Sequence, residues 1–179
     1  VIDTHIHADH ISALNELNKR TNCIRVMGEK SKSEVIDLRI KDGEKINVEE
    51  VELQAIYTPG HTDCSYSFLM NDRVFTGDTL LINGSGRTDF QNGNAYDAYD
   101  SIFNKLLKLP EKTLVFPAHD YNGKKFSTIE NEKNNNPRLQ VSSKEEYADI
   151  MNNLNLANPK MMDVAVPANV KGLTLDNIN

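Results

Sequence analysis

The sequence predicts one domain in which β-strands and α-helices alternate, a mixed α and β fold. Three observations support this prediction. The chain of 179 residues is about the length of one domain. Strand-like runs alternate with helix-like runs along its whole length. No internal repeat or long low-complexity linker separates them, so we treat residues 1–179 as a single domain.

Composition narrows the classes of function. The formal charge of −6 and the pI near 5.4 disfavour a nucleic-acid groove or a polybasic membrane patch, since both need clustered lysine and arginine. No apolar run approaches the roughly 18–20 residues that span a bilayer. Cys23 and Cys64 are too few for a secreted disulfide scaffold. We therefore expect a cytoplasmic protein. The composition does not exclude small molecules or acidic proteins as partners.

The first half of the chain contains most of the predicted strands. Val1 to Thr4 is typical of the last residues of a strand, so we expect the chain to begin inside its domain. Apolar residues at near-helical spacing predict a helix from His10 to Asn18. Alternating or short apolar runs predict strands over residues 23–27, 51–57, 65–70 and 74–76. The last two are predicted to form a hairpin.

The second half begins with a longer predicted helix. Apolar residues at i, i+3, i+4, i+7 and i+8 place one stripe on a helix over residues 99–107, which ends before Pro110. Another strand is predicted over residues 113–116. Capping-box sequences that begin at Ser127 and Ser143 predict the starts of two further helices.

All five histidines and two aspartates lie just after predicted strands. They are His5, His7, Asp9, His10, His61, Asp78 and His119. Loops at strand ends let a rigid sheet direct side chains to a common point. Imidazole and carboxylate bind first-row cations, and a His-x-His pair on an extended segment directs both rings to one side. The set therefore predicts one metal site, although any one histidine alone could be a surface or hydrogen-bonded core residue.

The order of these ligands, His-x-His-x-Asp-His, Gly-His-Thr, Gly-Asp-Thr and Ala-His, resembles the ligand series of the metallo-β-lactamase superfamily. The resemblance implies an α+β fold, a four-layer αββα sandwich with the metal at the edge between two sheets. That fold opens with strands before its first histidine motif. We therefore expect this chain to lack the first N-terminal strands, which would leave a sheet edge unpaired.

Segments beyond the ligands resemble the persulfide dioxygenase branch, which is related to glyoxalase II. These segments are residues 84–91, 117–121, 136–139 and 164–169. The likeness extends from Ile2 to about Leu173, with Ser85 as one departure, where members of the branch carry cysteine. It implies an enzyme that oxidises glutathione persulfide, or a similar thiol persulfide, with dioxygen to sulfite and the free thiol.

The resemblance assigns one Fe(II) per chain to His5, His61 and Asp78. Two imidazoles and one carboxylate occupy one face of an octahedron and leave three positions for water, substrate sulfur and dioxygen. Zinc lacks the redox chemistry that this reaction needs. The remaining ligand-type residues are expected to orient the ligand rings, move protons or form a second site: His7, Asp9, His10 and His119. For Asp9 and His10, inheritance from a two-metal ancestor is an equal alternative.

The resemblance also suggests which residues meet the substrate. We expect His7, His119 and Tyr121 to be catalytic, with Tyr121 near the sulfur. Glutathione presents two carboxylates, and arginine binds carboxylates bidentately, so Arg138 is the candidate for substrate binding. The alternative for Arg138 is an ordinary surface loop.

Three other residue types have structural interpretations. Arg87 is expected to form an ion pair with Asp89 that shapes the loop after Asp78. Cys64 is expected to be a small buried residue without a redox role, and Cys23 a core residue.

Two other functions stay open at this stage. A glyoxalase II-like thioesterase would use two zinc, iron or manganese ions, bound by all seven ligands, against a glutathione thioester. Only about 60 residues follow His119, fewer than that hydrolase usually has. A non-catalytic metal-binding module, fused or bound to a rhodanese-like domain, is the third hypothesis. The sequence does not decide whether the thiol carrier is glutathione, coenzyme A or bacillithiol. It also does not decide whether the protein forms a homodimer.

Overall fold

The computed structural model describes residues 1–178. Within them eight strands follow one another between the first two α-helices, so the prediction that strands and helices alternate along the whole length was wrong, while the mixed α and β content is as predicted. The strands within these residues are β1 (Val26–Gly28), β2 (Leu38–Ile40), β3 (Lys45–Val48), β4 (Val51–Tyr57), β5 (Tyr66–Leu69), β6 (Arg73–Gly77), β7 (Leu80–Leu81), β8 (Gly84–Ser85), β9 (Leu114–Pro117) and β10 (Ser127–Thr128). The α-helices are α1 (Leu14–Thr21), α2 (Ala95–Tyr99), α3 (Ile129–Asn135), α4 (Lys144–Asn152) and α5 (Met162–Lys171). A π-helix (Asp100–Lys105) and a 3-10 turn (Leu106–Lys108) continue α2, and a second 3-10 turn (Leu175–Asn177) follows α5.

The main sheet has the strand order β10-β9-β6-β5-β4-β3. Its neighbours are antiparallel except β6 and β9, which are parallel and therefore end at the same edge. The predicted hairpin is confirmed as β5–β6, in which Phe68 pairs with Phe75 and Leu69 with Val74. The strand predicted over residues 51–57 is β4.

A smaller sheet lies across part of the main sheet. Here β1 and β2 are parallel, and Ile2 adds a bridge to Val26, as the strand-like start of the chain suggested. The strand predicted from Cys23 begins only at Val26. Cys23 is half-buried and Ile24 is exposed, so the prediction that Cys23 is a core residue was wrong.

The helices start close to their predicted positions. The helix expected from His10 begins at Leu14, because the residues before it form a loop. Ser143 caps α4 by accepting from the amide of Glu146, as predicted. The cap of α3 is Thr128, whose side chain accepts from the amide of Asn131, and not Ser127, whose hydroxyl donates to the carboxylate of Glu132 instead.

Apolar side chains form three buried clusters. One lies between the main sheet and helices α2 to α4 and contains Val74, Ile102, Leu106, Val115 and Tyr147. The second lies under β1 and β2 and contains Val26, Ile40, Ala55, Tyr66 and Phe68. The third joins the first histidine loop to α5 and contains Ile6, Leu14, Met27 and Cys64, so the prediction of a buried Cys64 is confirmed. Between residues 1 and 178 no helix has the length and apolarity to cross a membrane.

Candidate metal centre

The loops that follow Ile2, β4, β6 and β9 bring the predicted ligands together at one edge of the structure. Two groups within them could each hold a cation, because one ligand atom from each member lies within 4.8 Å of the others. We call His5, His61 and Asp78 the central group, and His7, Asp9 and His10 the loop group. Three of the four predicted segments thus converge in these groups, and His119 of the fourth contacts Asp78 and Asp9.

The central group has the donor arrangement of a metal site. The Nδ1 of His61 lies 2.7 Å from the carbonyl oxygen of Arg87. A carbonyl can only accept, so Nδ1 carries the proton and Nε2 presents a lone pair. That Nε2 lies 3.7 Å from Oδ2 of Asp78, which is also an acceptor. Two acceptors that face each other without a donor between them fit a cation.

His5 completes this group from the buried side. Its ring is 2% exposed, with Nδ1 2.9 Å from Oγ1 of Thr4 and Nε2 3.8 Å from Oδ2 of Asp78. Burial, followed by the neighbouring histidines, holds the pKa of His5 well below its usual range. The ring is therefore neutral and able to bind a metal. Gly77 leaves room for Thr4, since a Cβ at Gly77 would lie 2.6 Å from Oγ1 of Thr4.

His119 joins the two groups. Its Nδ1 lies 2.7 Å from Oδ1 of Asp78, and its Nε2 lies 2.9 Å from Oδ2 of Asp9. The hydrogen bond to Asp78 is the main reason that the pKa of His119 rises to about 9. By holding Oδ1 of Asp78, His119 leaves Oδ2 facing the two histidines of the central group.

The loop group is more open. The Asp9 and His10 side chains are 46% and 49% exposed, and His10 Nδ1 lies 3.1 Å from Asp9 Oδ1. His7 is buried with Nε2 3.5 Å from Asp3 Oδ1. Its Nδ1 has no hydrogen-bond partner within residues 1–178, although the atom is buried. An orphaned buried nitrogen is costly, so it marks a second place where a ligand would be favourable.

The backbone around the ligands leaves little space. A Cβ at Gly86 would lie 2.0 Å from the carbonyl oxygen of Asp78 and 3.0 Å from Nδ1 of His61. Gly60, which precedes His61, has φ +139° and lies against Ala98 of α2. Glycine is therefore needed at both positions to seat two of the three central ligands.

A cavity of about 490 Å³ adjoins the central group. Its lining consists of Ala8, Asp9, His61, Asp78, Leu81, Ser85, Gly86, Arg87, His119, Tyr121, Arg138, Leu156, Ala157 and Pro159. The predicted substrate residues Arg138 and Tyr121 are both present, and Tyr121 is 82% exposed. His7 is not in this lining.

Arg138 lies in the lining of this cavity. Its guanidinium is half-buried and donates to the carbonyl of Ser85. Burial lowers the pKa of Arg138 from its ordinary value. Among the described residues, no carboxylate lies within 4.0 Å of this guanidinium. A half-buried guanidinium whose side-chain hydrogen bond within residues 1–178 is to a neutral carbonyl keeps an unbalanced positive charge, which favours an anionic ligand.

Arg87 forms the predicted ion pair and one contact that the sequence did not suggest. Its Nε and Nη2 lie 2.7 Å from the two carboxylate oxygens of Asp89, and its guanidinium covers Phe90 at 4.4 Å. It also donates to the carbonyls of Ala157, at 2.6 Å, and Leu156, at 3.3 Å. The same side chain therefore fixes a wall of the cavity that sequence reasoning missed, because nothing in residues 153–160 resembles a motif.

Comparison with known proteins identifies the family. The family model described as the metallo-beta-lactamase superfamily matches residues 26–119. The chain is 44% identical to the mitochondrial persulfide dioxygenase ETHE1 of Homo sapiens over 95% of its own length and 67% of that protein's. A hydroxyacylglutathione hydrolase of Dictyostelium discoideum is 31% identical over 75% of this chain and 54% of the hydrolase.

A solved structure agrees with both the fold and the sequence comparison. The crystal structure of ETHE1 from Myxococcus xanthus superimposes with a TM-score of 0.93 at 49% identity, covering 95% of this chain and 75% of that one. The expected αββα fold is thereby confirmed, while the extent of the domain beyond this chain stays a prediction. The chain belongs to the metallo-beta-lactamase superfamily.

Proposed function

We propose that this protein is a persulfide dioxygenase that converts a thiol persulfide and dioxygen to sulfite and the free thiol. The observation that carries the proposal is the facing pair of acceptors, His61 Nε2 and Asp78 Oδ2, which lie 3.7 Å apart and beside an open cavity. Similarity to two proteins named ETHE1, at 44% and 49% identity, supports the same activity.

The central group would hold the metal, which we propose to be one Fe(II) per chain. Two imidazole nitrogens and one carboxylate oxygen form the donor set typical of non-haem iron oxygenases. Iron in such a site supplies redox chemistry together with coordination positions that the protein leaves free. The burial of His5 and the hydrogen bonds to Thr4, Arg87 and His119 hold these ligands in place before metal arrives.

The chemistry balances with water as the third reactant. The persulfide RSSH, dioxygen and water give RSH, sulfite and two protons. The S–S bond breaks, and the inner sulfur leaves as the thiol. The terminal sulfur is oxidised by four electrons, which dioxygen accepts.

Arg138 and Tyr121 are proposed to bind the carrier of the persulfide. Arg138 presents a guanidinium to the cavity without a carboxylate partner among residues 1–178, so an anionic group of the substrate would provide one. Arg87 is less suited to this role, since Asp89 neutralises its charge and, with two backbone carbonyls, occupies four of its five N–H donors. A carrier with carboxylates, such as glutathione, is therefore proposed.

Three residues are proposed to act on the reaction or on the ligands themselves. His119 holds Oδ1 of Asp78, and Tyr121 lies beside it with the two rings nearly parallel and 6.1 Å apart. Both lie in the cavity lining, where they could touch a bound persulfide. His7 lies behind this surface, with its ring 4.3 Å from that of His5, and would act by supporting the central group.

A thioesterase with two metal ions is the second candidate, and the loop group favours it. His7, Asp9 and His10 offer a second set of donors, and the hydrolase of Dictyostelium discoideum shares 31% identity with this chain. In that case both groups would be filled and a bridging hydroxide would attack a glutathione thioester. Metal content and substrate separate the two functions.

The experiment compares both substrates on one preparation. Protein reconstituted anaerobically with Fe(II) is given glutathione persulfide with and without dioxygen, while dioxygen uptake and sulfite are measured. The proposal expects one iron per chain and sulfite that matches dioxygen consumed. Two metal ions per chain with cleavage of a glutathione thioester would replace it with the hydrolase, and inactivity on both would favour a non-catalytic module. A cytoplasmic location, a homodimer and a rhodanese-like partner domain stay predictions from the sequence.

A further inference from the structure

The amide side chain of Asn169, near the end of α5, is fully occupied by the backbone of the first histidine loop. Its Nδ2 donates to the carbonyls of His7 and His10, each at 2.9 Å. Its Oδ1 accepts from the amide of Ser12 at 2.8 Å. Both N–H groups and the carbonyl of the amide are thus used, and the residue is only 9% exposed.

The backbone of this loop has little other support, although the side chains of Ser12 and His7 contact Asp3. Within residues 1–178, the backbone of residues 7–12 makes no hydrogen bond to another backbone group. Asn169 therefore supplies the hydrogen bonds that a strand or helix would otherwise supply. The hydroxyl of Ser33 donates to the backbone carbonyl oxygen of Asn169 at 3.2 Å and so helps to hold this residue in position.

The loop connects Asn169 to the central group. Asp9 lies between the two carbonyls that Asn169 binds, and its Oδ2 is 2.9 Å from Nε2 of His119. The other nitrogen of His119 is 2.7 Å from Asp78. A shift of the loop would move the Asp9 carboxylate, and His119 would lose one of the two contacts that fix its ring.

We propose that Asn169 is a positioning residue, which holds the loop of residues 7–12 so that Asp9, His119 and Asp78 form one connected network. The effect on the loop depends only on the contacts of Asn169. The effect on metal binding rests on the proposed function, since it requires Asp78 to be a ligand.

The test uses two substitutions at this position. Asn169→Asp keeps the size and the acceptor for Ser12 but removes both donors, and Asn169→Ala removes all three hydrogen bonds. We expect Asn169→Ala to lose amide hydrogen-exchange protection at Ser12, and Asn169→Asp to lose part of it, because the loop shifts once its two carbonyls lose their donors. We expect Co(II) or Fe(II) affinity to fall about tenfold, within the range for loss of an outer partner of a ligand. The visible spectrum of the Co(II) form should also change.

Asn15→Ala is the matched control. Asn15 is also a buried amide, 7% exposed, and it also bridges the N-terminal part of the chain to the end of α5, by donating to the carbonyl of Gly172. Within residues 1–178 its side chain makes hydrogen bonds with Gly172 and Arg25 and none with the loop. We expect Asn15→Ala to lower the melting temperature without changing loop exchange or the Co(II) spectrum.

The outcomes separate the two levels of the proposal. If the Asn169 variants keep both loop protection and metal affinity, or match Asn15→Ala in every readout, the positioning role is wrong. If the unsubstituted protein binds no metal while the variants still lose loop protection, the proposed function fails and the role in the loop stands. Should Asn169→Ala not fold, the near-isosteric Asn169→Asp decides the question.

Discussion

The two ligand groups are built from similar residues but differ in how firmly the protein holds them. In the central group, Nδ1 of His5 is hydrogen-bonded to Thr4, and Nδ1 of His61 is hydrogen-bonded to the carbonyl of Arg87. Both rings therefore present Nε2 to the metal position. The Asp78 side chain is only 12% exposed. In the loop group, two of three members are about half exposed, and one buried nitrogen of His7 has no partner among residues 1–178.

This difference teaches that closeness in sequence does not make the better metal site. The loop group lies within four consecutive residues. The members of the central group lie in three different loops, which are far apart in the sequence and are held in place by the sheets. Preorganised ligands bind a cation without first losing conformational freedom, and outer hydrogen bonds set ring orientation. We therefore expect the first metal ion to enter the central group.

The largest expected effect is on metal content after loss of a central ligand. His61→Ala removes a first ligand, so iron affinity should fall by more than the roughly 10–100-fold that loss of an outer partner costs. His7→Ala should leave iron bound but slow turnover. Elemental analysis and steady-state kinetics check both variants. Retention of iron in His61→Ala together with its loss in His7→Ala would mean that the two groups are assigned the wrong way round.

A smaller effect is expected from crowding the central group. Gly86→Ala places a methyl group 2.0 Å from the carbonyl of Asp78, so the backbone must move. We expect a destabilisation of about 1–3 kcal/mol and weaker metal binding. Gly84→Ala is the control, since its nearest neighbour lies at 3.9 Å. Equal metal affinity in the two variants, measured by titration, would show that the tight contact does not matter to the ligands.

The next prediction concerns the cavity beside the central group. Arg138→Lys loses the paired donors of the guanidinium, and hydrogen bonds to charged groups contribute about 1.5–3 kcal/mol. KM for glutathione persulfide should therefore rise about 10- to 100-fold, with less change in kcat. Arg73→Lys, at an exposed surface pair with Asp72, should leave KM unchanged. A fall in kcat alone would exclude a binding role for Arg138.

The smallest expected effect is on stability alone, from a substitution far from both ligand groups in the sequence. Ser143→Ala removes the side chain that caps α4 by accepting from Glu146, and loss of such a cap costs about 1 kcal/mol. Chemical denaturation should detect this loss while metal content stays the same. A drop in metal content would mean that the central group depends on global stability and not on local hydrogen bonds.

Much of the site was predictable because its ligands follow strands. The positions of His61, Asp78 and His119 after β4, β6 and β9 needed only the apolar runs before them. Buried apolar positions in the helical segment were also predicted, since Ile102 and Leu106 have no exposed surface. The π-helix at residues 100–105 was not, because its apolar spacing is compatible with an α-helix.

The supporting residues could not be predicted in the same way. No helix was predicted over residues 162–171, where Pro167 lies inside α5, since proline normally interrupts a helix. The sequence therefore pointed to Asn169 only as one of residues 164–169, which resemble the persulfide dioxygenase branch, and predicted no role for it. Its partners lie about 160 residues away, and a contact over that separation has no local signal in one sequence.

Anomalous X-ray diffraction at the iron edge, on crystals of protein reconstituted anaerobically with one equivalent of Fe(II), tests the central claim most directly. The account predicts one peak, next to Nε2 of His5, Nε2 of His61 and Oδ2 of Asp78. A peak at His7, Asp9 and His10 with the central group empty would contradict it.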